Sequence, residues 1–318
     1  MKDRRREFPF LNSTRPESHD LLIAGVLLRI VCPRGAGLLI PDRLYRSFTA
    51  GAVGNRNVFV LPVRLVVGGF PSMTGLKKKF DTKESWSMFQ DARHHWITFH
   101  PAERAEPLWV ARFDRNVSRV TVYCHAGTSR LRKGRPVLDL PIVYPLDQLL
   151  LMYFFARRQG ILTHAAGIAR GGKAIIFPGS SGAGKSTFSK LLAERRAGIV
   201  LSDERMIVRE INGAMQAFGT PWAGTAGIAR DGSAPLAGIF FLKHGKSNRI
   251  REIDAVEAAD RLLSMASIPW YDLETAAPII AFAKRVVAAV PCHEFRFVPD
   301  RSAVDFFRRF LKTLSRPV

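Results

Sequence analysis

The residues with the clearest chemistry lie in one short string, Gly179-Ser180-Ser181-Gly182-Ala183-Gly184-Lys185-Ser186, followed by Thr187. Its spacing fits G-x-x-x-x-G-K-[ST] without a mismatch. Glycines at these positions let backbone N–H groups curl around phosphate oxygens. The start of a following helix adds positive potential. Lys185 would reach the β- and γ-phosphates of a nucleoside triphosphate, and the Ser186 hydroxyl would complete a Mg²⁺ shell. A second group of polar residues follows closely. The apolar run Gly198-Ile199-Val200-Leu201 ends in Ser202-Asp203-Glu204. Strand C-termini line the ligand crevice of open α/β sheets. Adjacent strands would therefore place Asp203 and Glu204 beside the loop, where one carboxylate can hold Mg²⁺ and another accept a proton. His164 closes the strand-like run that precedes the loop strand and is an accessory candidate.

The elements needed to position these groups can be read around them. Ala174-Ile175-Ile176-Phe177 is a buried strand entering the loop, and residues 187–196 place Phe188, Leu191 and Leu192 on one helical face. Residues 161–164 and 174–177 read as strands joined through the turn signal Gly171-Gly172. Leu146, Leu149, Leu150, Tyr153 and Phe154 give a helix over 146–158, stopped by Arg157-Arg158 before Gly160. The character of the chain changes at Tyr144-Pro145, which sets an expected domain boundary. Before it, residues 26–31, 58–61, 63–67 and 117–123 are short β-branched runs, with one helical stretch at 42–48. The expected organisation is a flexible basic arm over 1–20, an α+β N-terminal domain over 21–144, and a nucleotide-binding α/β domain over 145–318.

Composition bounds the rest. The 318 residues are 47% hydrophobic, enough for a sizeable interior. Cys32, Cys124 and Cys292 are widely spaced with no CxxC pair, which excludes a disulfide framework or cysteine zinc site. His94, His95 and His100 lack metal-ligand spacing on any clear element and read as surface or loop residues. The N-terminal charges run into Glu7, Phe8 and Pro9 with no apolar stretch of signal-peptide length. No apolar run reaches the roughly 20 residues of a membrane span. A cytoplasmic protein is expected. The net charge of +21 favours polyanions, but the basic residues are spread along the chain without a recognition helix or an aromatic RNA-binding signature. Nucleic acid is therefore not an expected partner.

Taken in order, several segments resemble the C-terminal kinase domain of HPr kinase/phosphorylase, and more closely the HPr-kinase-related proteins of bacterial gene clusters. These include kinases that modify ribosomally made peptides. The segments are Pro145-Leu146-Asp147-Gln148-Leu149-Leu150, Thr163-His164-Ala165-Ala166-Gly167, the loop, Leu201-Ser202-Asp203-Glu204 and Phe218-Gly219-Thr220-Pro221-Trp222-Ala223-Gly224. Phe240-Phe241-Leu242, Asn248-Arg249-Ile250 and Pro291-Cys292-His293-Glu294-Phe295-Arg296-Phe297 extend the likeness to about residue 310. The resemblance implies a phosphate-loop kinase core of the HPr kinase/phosphoenolpyruvate carboxykinase type. It implies ATP and Mg²⁺, with Asp203 as catalytic aspartate, Glu204 as its acidic neighbour and His164 near the transferred phosphate. A peptide or protein acceptor is implied, and a leader-peptide-binding partner protein or a homo-oligomer is compatible with it. Two departures stand out: Glu204 occupies a position where Asp is usual, and Gly219 to Gly227 lies where the phosphorylase signature would fall. A small-molecule or carboxykinase-like kinase and a nucleotide-dependent binding module are the alternatives. No N-K-x-D or L-S-G-G-Q string supports a GTPase switch or an ABC ATPase.

Overall fold

The computed structural model describes residues 17–40, 43–49, 58–104, 106–132 and 134–314. The chain divides into two compact units, Met1–Asp147 and Gln148–Val318. Most of the expected basic arm lies outside the described residues, but its end, from Ser18, already belongs to a strand.

Among the described residues of the first unit, regular structure is almost entirely strand. It contains β1 (Ser18–Ile23), β2 (Val26–Val31), β3 (Gly37–Leu39), the four-residue helix α1 (Arg43–Arg46) and β4 (Phe59–Val67). It continues through β5 (Lys77–Asp81), β6 (Trp86–Gln90), β7 (His94–Phe99), β8 (Trp109–Asp114), β9 (Val120–Cys124), β10 (Ser129–Arg132) and β11 (Arg135–Asp139). Eight strands pair in the order β1-β2-β4-β9-β8-β7-β6-β5, and β10-β11-β3 form a second sheet. The strands expected at 58–61 and 63–67 are one strand running through Pro62. Pro62 stands opposite Arg29 of β2, and β9 pairs β4 only from Val63 onward, so the proline sits where the ladder is one-sided. The strand expected from Val117 begins at Val120. The Asp114 carboxylate accepts the N–H groups of Asn116, Ser118 and Arg119, which turns those residues into a loop. Lys77-Lys78-Lys79 fall on the edge strand β5, where charge discourages pairing with another chain.

The second unit opens within α2 (Leu146–Ala156). It holds β12 (Gly160–Arg170), β13 (Lys173–Pro178), α3 (Lys185–Glu194), β14 (Ile199–Ser202), β15 (Arg205–Ile211) and β16 (Ala214–Phe218). It is completed by β17 (Ser233–His244), β18 (Arg249–Glu252), α4 (Ala255–Met265), α5 (Leu273–Ala289), β19 (Cys292–Phe297) and α6 (Arg301–Leu314). Two long strands each serve two sheets. Residues 160–164 of β12 pair β15, whereas 165–170 pair β13. Likewise β17 pairs β16 near its start, then β13 and β19. β13, β17 and β19 are mutually parallel, so their C-terminal ends share one edge. β14 pairs β12 and not β13, so a strand separates it from the loop strand where direct adjacency was expected.

An aromatic cluster fixes the loop helix on this sheet. Phe177 of β13, Phe188 of α3, Phe240 of β17, Phe295 of β19 and Phe307 of α6 are all at most 1% exposed. Phe177 and Phe188 meet edge-on with centroids 5.2 Å apart, an arrangement favoured by the ring quadrupoles. Burying each such side chain contributes about 1.5–3 kcal/mol. With Phe188 anchored, the first turn of α3 faces the strand-end edge. No helix among the described residues is long and apolar enough to cross a membrane.

Candidate functional site

The site begins where β13 ends. Residues 179–184 turn away from Pro178 and lead directly into α3, with Gly179 N–H donating to the His164 carbonyl at 3.3 Å. Gly184 caps the helix at φ +94°, a left-handed backbone that side chains rarely adopt. A Cβ there would also lie 2.6 Å from Phe297 Cζ. The loop thus presses against the aromatic cluster at this position and leaves its other face open.

Lys185 is 5% exposed, and its ammonium folds back to donate to the carbonyls of Gly179 at 2.9 Å and Ser180 at 3.1 Å. Burial pushes its pKa down, opposed by the Glu204 carboxylate and aided by the nearby Arg205 cation. Across from it, His164 Nε2 lies 2.7 Å from Glu204 Oε1. Burial and then Lys185 hold the imidazole below its ordinary value of 6.5, with Glu204 pulling the other way. Ser181, Gly182, Gly184, Lys185, Ser186 and Thr187 line one side of a cavity of about 250 Å³, and His164 and Glu204 line the other. Gly179, Ser180 and Ala183 build the loop without lining the cavity.

Asp203 has a different place. It is 0% exposed and outside the cavity lining. Its Oδ1 accepts from Gly224 N–H at 2.9 Å and Ile228 N–H at 3.1 Å, and its Oδ2 from Ala226 N–H at 2.8 Å. Backbone bonds from Arg230 to Leu201 and from Asp203 to Ile228 tie the same segment to the end of β14. The carboxylate so straps the 224–228 loop into position, and its Oδ2 also lies toward Glu204 and Ser186.

That loop brings new residues to the site. Thr225 reaches the cavity, as does His244 from the end of β17. The His244 ring stacks on Phe297, and its Nε2 lies 2.9 Å from the Gly182 carbonyl oxygen. Sequence reading passed over both. The rule that parallel strand ends line the crevice could have found His244, since it closes the apolar run of β17; Thr225 carries no comparable local signal.

The arrangement of oxygens fits a hard divalent cation. A Cβ built on Gly224 would lie 2.8 Å from Asp203 Oδ2, 2.9 Å from Glu204 Oε2 and 3.1 Å from Ser186 Oγ. Two carboxylate oxygens and a hydroxyl therefore converge on a space that only glycine leaves free. Among the described residues no group of three or more His, Cys, Asp or Glu side chains could hold a metal. The donor set suits Mg²⁺, which binds one or two carboxylates and takes its remaining ligands from water and phosphate.

Comparison with known proteins finds the family described as SynChlorMet cassette protein ScmC, whose match spans residues 139–292. The match takes in the loop, β14 and the Gly224 segment. Among solved structures, the Hpr(Ser) kinase/phosphatase from Coxiella burnetii aligns at 13% identity with a TM-score of 0.29. The alignment covers 48% of this chain and 89% of that one. Agreement that loose carries no weight for fold or chemistry. No curated protein matches the sequence.

Proposed function

We propose that this chain is an ATP-dependent kinase that transfers the γ-phosphoryl group to a serine or threonine hydroxyl of a peptide or protein. One observation carries the reading: Lys185 and Ser186, at the start of α3, share a cavity of about 250 Å³ with the Glu204–His164 contact. Whole small-molecule ligands occupy pockets of about 300–1,000 Å³. This smaller space suits the phosphate chain and an incoming hydroxyl, with the nucleoside outside it.

Each residue then has a role. Backbone N–H groups of the loop and the start of α3 hold the phosphates. The Lys185 ammonium exchanges the Gly179 and Ser180 carbonyls for phosphate oxygens. Ser186, Asp203 and Glu204 would hold Mg²⁺, which neutralises phosphate charge when bound. The acceptor oxygen forms a bond to the γ-phosphorus as the bond to the β–γ bridging oxygen breaks. The hydroxyl proton passes to the Glu204–His164 pair, a carboxylate beside an imidazole kept neutral by burial. Asp203 positions Gly224–Ile228 and is not the proton acceptor. Catalysis of this kind rests on positioning and charge neutralisation. The matched family's description as a cassette protein supports an acceptor encoded alongside this chain.

The test has two arms. Lys185→Ala should weaken MgATP binding at least about tenfold by calorimetry, about 1.4 kcal/mol. Mass spectrometry of neighbouring-gene polypeptides after incubation with MgATP should show phosphoserine or phosphothreonine. Unchanged nucleotide affinity in Lys185→Ala would overturn the site. Binding by the wild type without any phosphorylated product would leave a nucleotide-dependent binding module.

A further inference from the structure

Three exposed cations stand in register across three strands. Lys243 of β17 pairs with Arg296 of β19, and Arg296 pairs with Arg249 of β18. Their side chains share the α4-covered face. Arg251, two residues from Arg249, reaches Glu294 Oε1 at 3.3 Å, and Arg296 reaches the same oxygen at 2.8 Å. Arg261 of α4 reaches Glu294 Oε2 at 2.8 Å and lies over the Phe241 ring, two residues from Lys243.

Two carboxylates on this face are already shared among arginines. Glu294 is 2% exposed and shared by Arg251, Arg261 and Arg296. Glu257 is held by Arg251 and Arg261. Neither Lys243 nor Arg249 has an ion-pair or hydrogen-bond partner among the described residues. Like charges directly opposite one another weaken a sheet. The row keeps two such pairs. His244, the next residue of β17, lines the cavity, so the row lies at the same strand end but on the opposite face of the sheet.

We infer that Lys243, Arg296 and Arg249 dock an acidic stretch of polypeptide, which the kinase reading makes part of the phosphoryl acceptor. Two strand spacings set the outer cations about 10 Å apart, which matches three to four residues of an extended chain. Charge complementarity names the partner. Nucleic acid fits less well, because Phe241, the aromatic neighbour on this face, is 4% exposed and offers no stacking platform for bases.

The test titrates the full chain with fluorescein-labelled octaglutamate at about 0.1 M salt, where distant charges are screened. A Lys243→Glu/Arg249→Glu double variant should bind at least about tenfold more weakly. A Lys173→Glu/Lys284→Glu double, equal in charge change but placed elsewhere on the unit, should bind like wild type. The row double should also keep its MgATP affinity and melt no lower than wild type, since like-charge contacts have been removed. Equal weakening in both doubles, or no octaglutamate binding by the wild type, would overturn the inference. So would a labelled oligothymidylate that binds more tightly and is the ligand the row double loses. Lys185→Ala keeps the two readings apart. If it leaves MgATP binding intact, the kinase reading falls while the octaglutamate result stands.

Discussion

Two carboxylates in this molecule perform the same task over different distances. In the first unit, Asp114 accepts N–H groups from Asn116, Ser118 and Arg119, two to five residues ahead, and closes the turn between β8 and β9. In the second, Asp203 accepts from Gly224, Ala226 and Ile228, 21 to 25 residues ahead. Asp114 keeps contact with solvent, while Asp203 is fully buried. The local pin only ends one strand and starts the next. The distant pin carries Thr225 to the cavity and sets Gly224 against Ser186 and Glu204. A carboxylate with N–H donors is thus structural or site-building according to how far away its donors begin.

Replacing the two aspartates should separate them most sharply. Asp203→Asn keeps the shape but puts an N–H₂ group against at least one backbone N–H. Hydrogen bonds to a charged group contribute about 1.5–3 kcal/mol each, and a buried unsatisfied donor adds a further penalty. Amide exchange at Gly224, Ala226 and Ile228 should accelerate at least about tenfold, and phosphoryl transfer should fall by about 10²-fold or more. Asp114→Asn should speed exchange only at residues 116–119 and leave transfer unchanged. If Asp203→Asn lost transfer while exchange in the loop stayed slow, Asp203 would act on the reacting groups directly, and the comparison with Asp114 would fail.

Gly224→Ala sharpens the same contrast from the other side of the loop. The N–H donated to Asp203 survives, but the new methyl group would sit within 3.1 Å of Asp203 Oδ2, Glu204 Oε2 and Ser186 Oγ. Transfer should drop by about tenfold or more with a smaller loss of melting temperature than in Asp203→Asn. Its residual activity should respond to added Mg²⁺, since the methyl competes for the space where oxygens converge. Wild-type activity in this variant would show that the three oxygens do not serve a common ligand.

What the sequence makes legible follows the same division of range. Strand, glycine loop and helix are contiguous, so Ala174 to Phe177, Lys185 and Ser186 could be placed from local pattern alone, as could the Gly171-Gly172 turn. The meeting of Glu204 with His164 was legible only in outline, because it depends on β12 pairing β15, which sets His164 opposite Arg205, the neighbour of Glu204. Nothing near Asp203 reveals that it accepts the N–H groups of Gly224, Ala226 and Ile228, more than 20 residues ahead. Val117 shows a missed local signal. Its β-branched neighbourhood favours a strand, yet Asp114 upstream captures the N–H groups that a strand would need. Lys243, Arg249 and Arg296 are far apart in sequence and become a row only through the pairing of β17, β19 and β18.

The smallest effect expected is a change in pH response, and it tests whether burial and Lys185 hold His164 as a neutral group. Burial first, then the Lys185 cation, lower the His164 pKa from 6.5, against the pull of Glu204, while Arg205 adds to the lowering. Between the folded value and the unfolded one, the unfolded chain therefore binds more protons. Stability from this group is intact above about pH 6.5 and falls as pH drops through that value toward the folded pKa. His293 in the same unit is also lowered by burial and contributes in the same direction. His164→Asn should therefore shrink, without abolishing, the loss of urea resistance between about pH 7.5 and 5.5. In activity, the wild type should lose turnover on the acid side as the imidazole gains a proton, and the variant's low residual rate should lack that limb. The readout distinguishes a proton-handling residue from a packed one, because a histidine serving only to fill space would change the rate and leave the shape of the profile alone. An acid limb of unchanged position in His164→Asn would assign it to Glu204 or the nucleotide, and would remove His164 from the proton path.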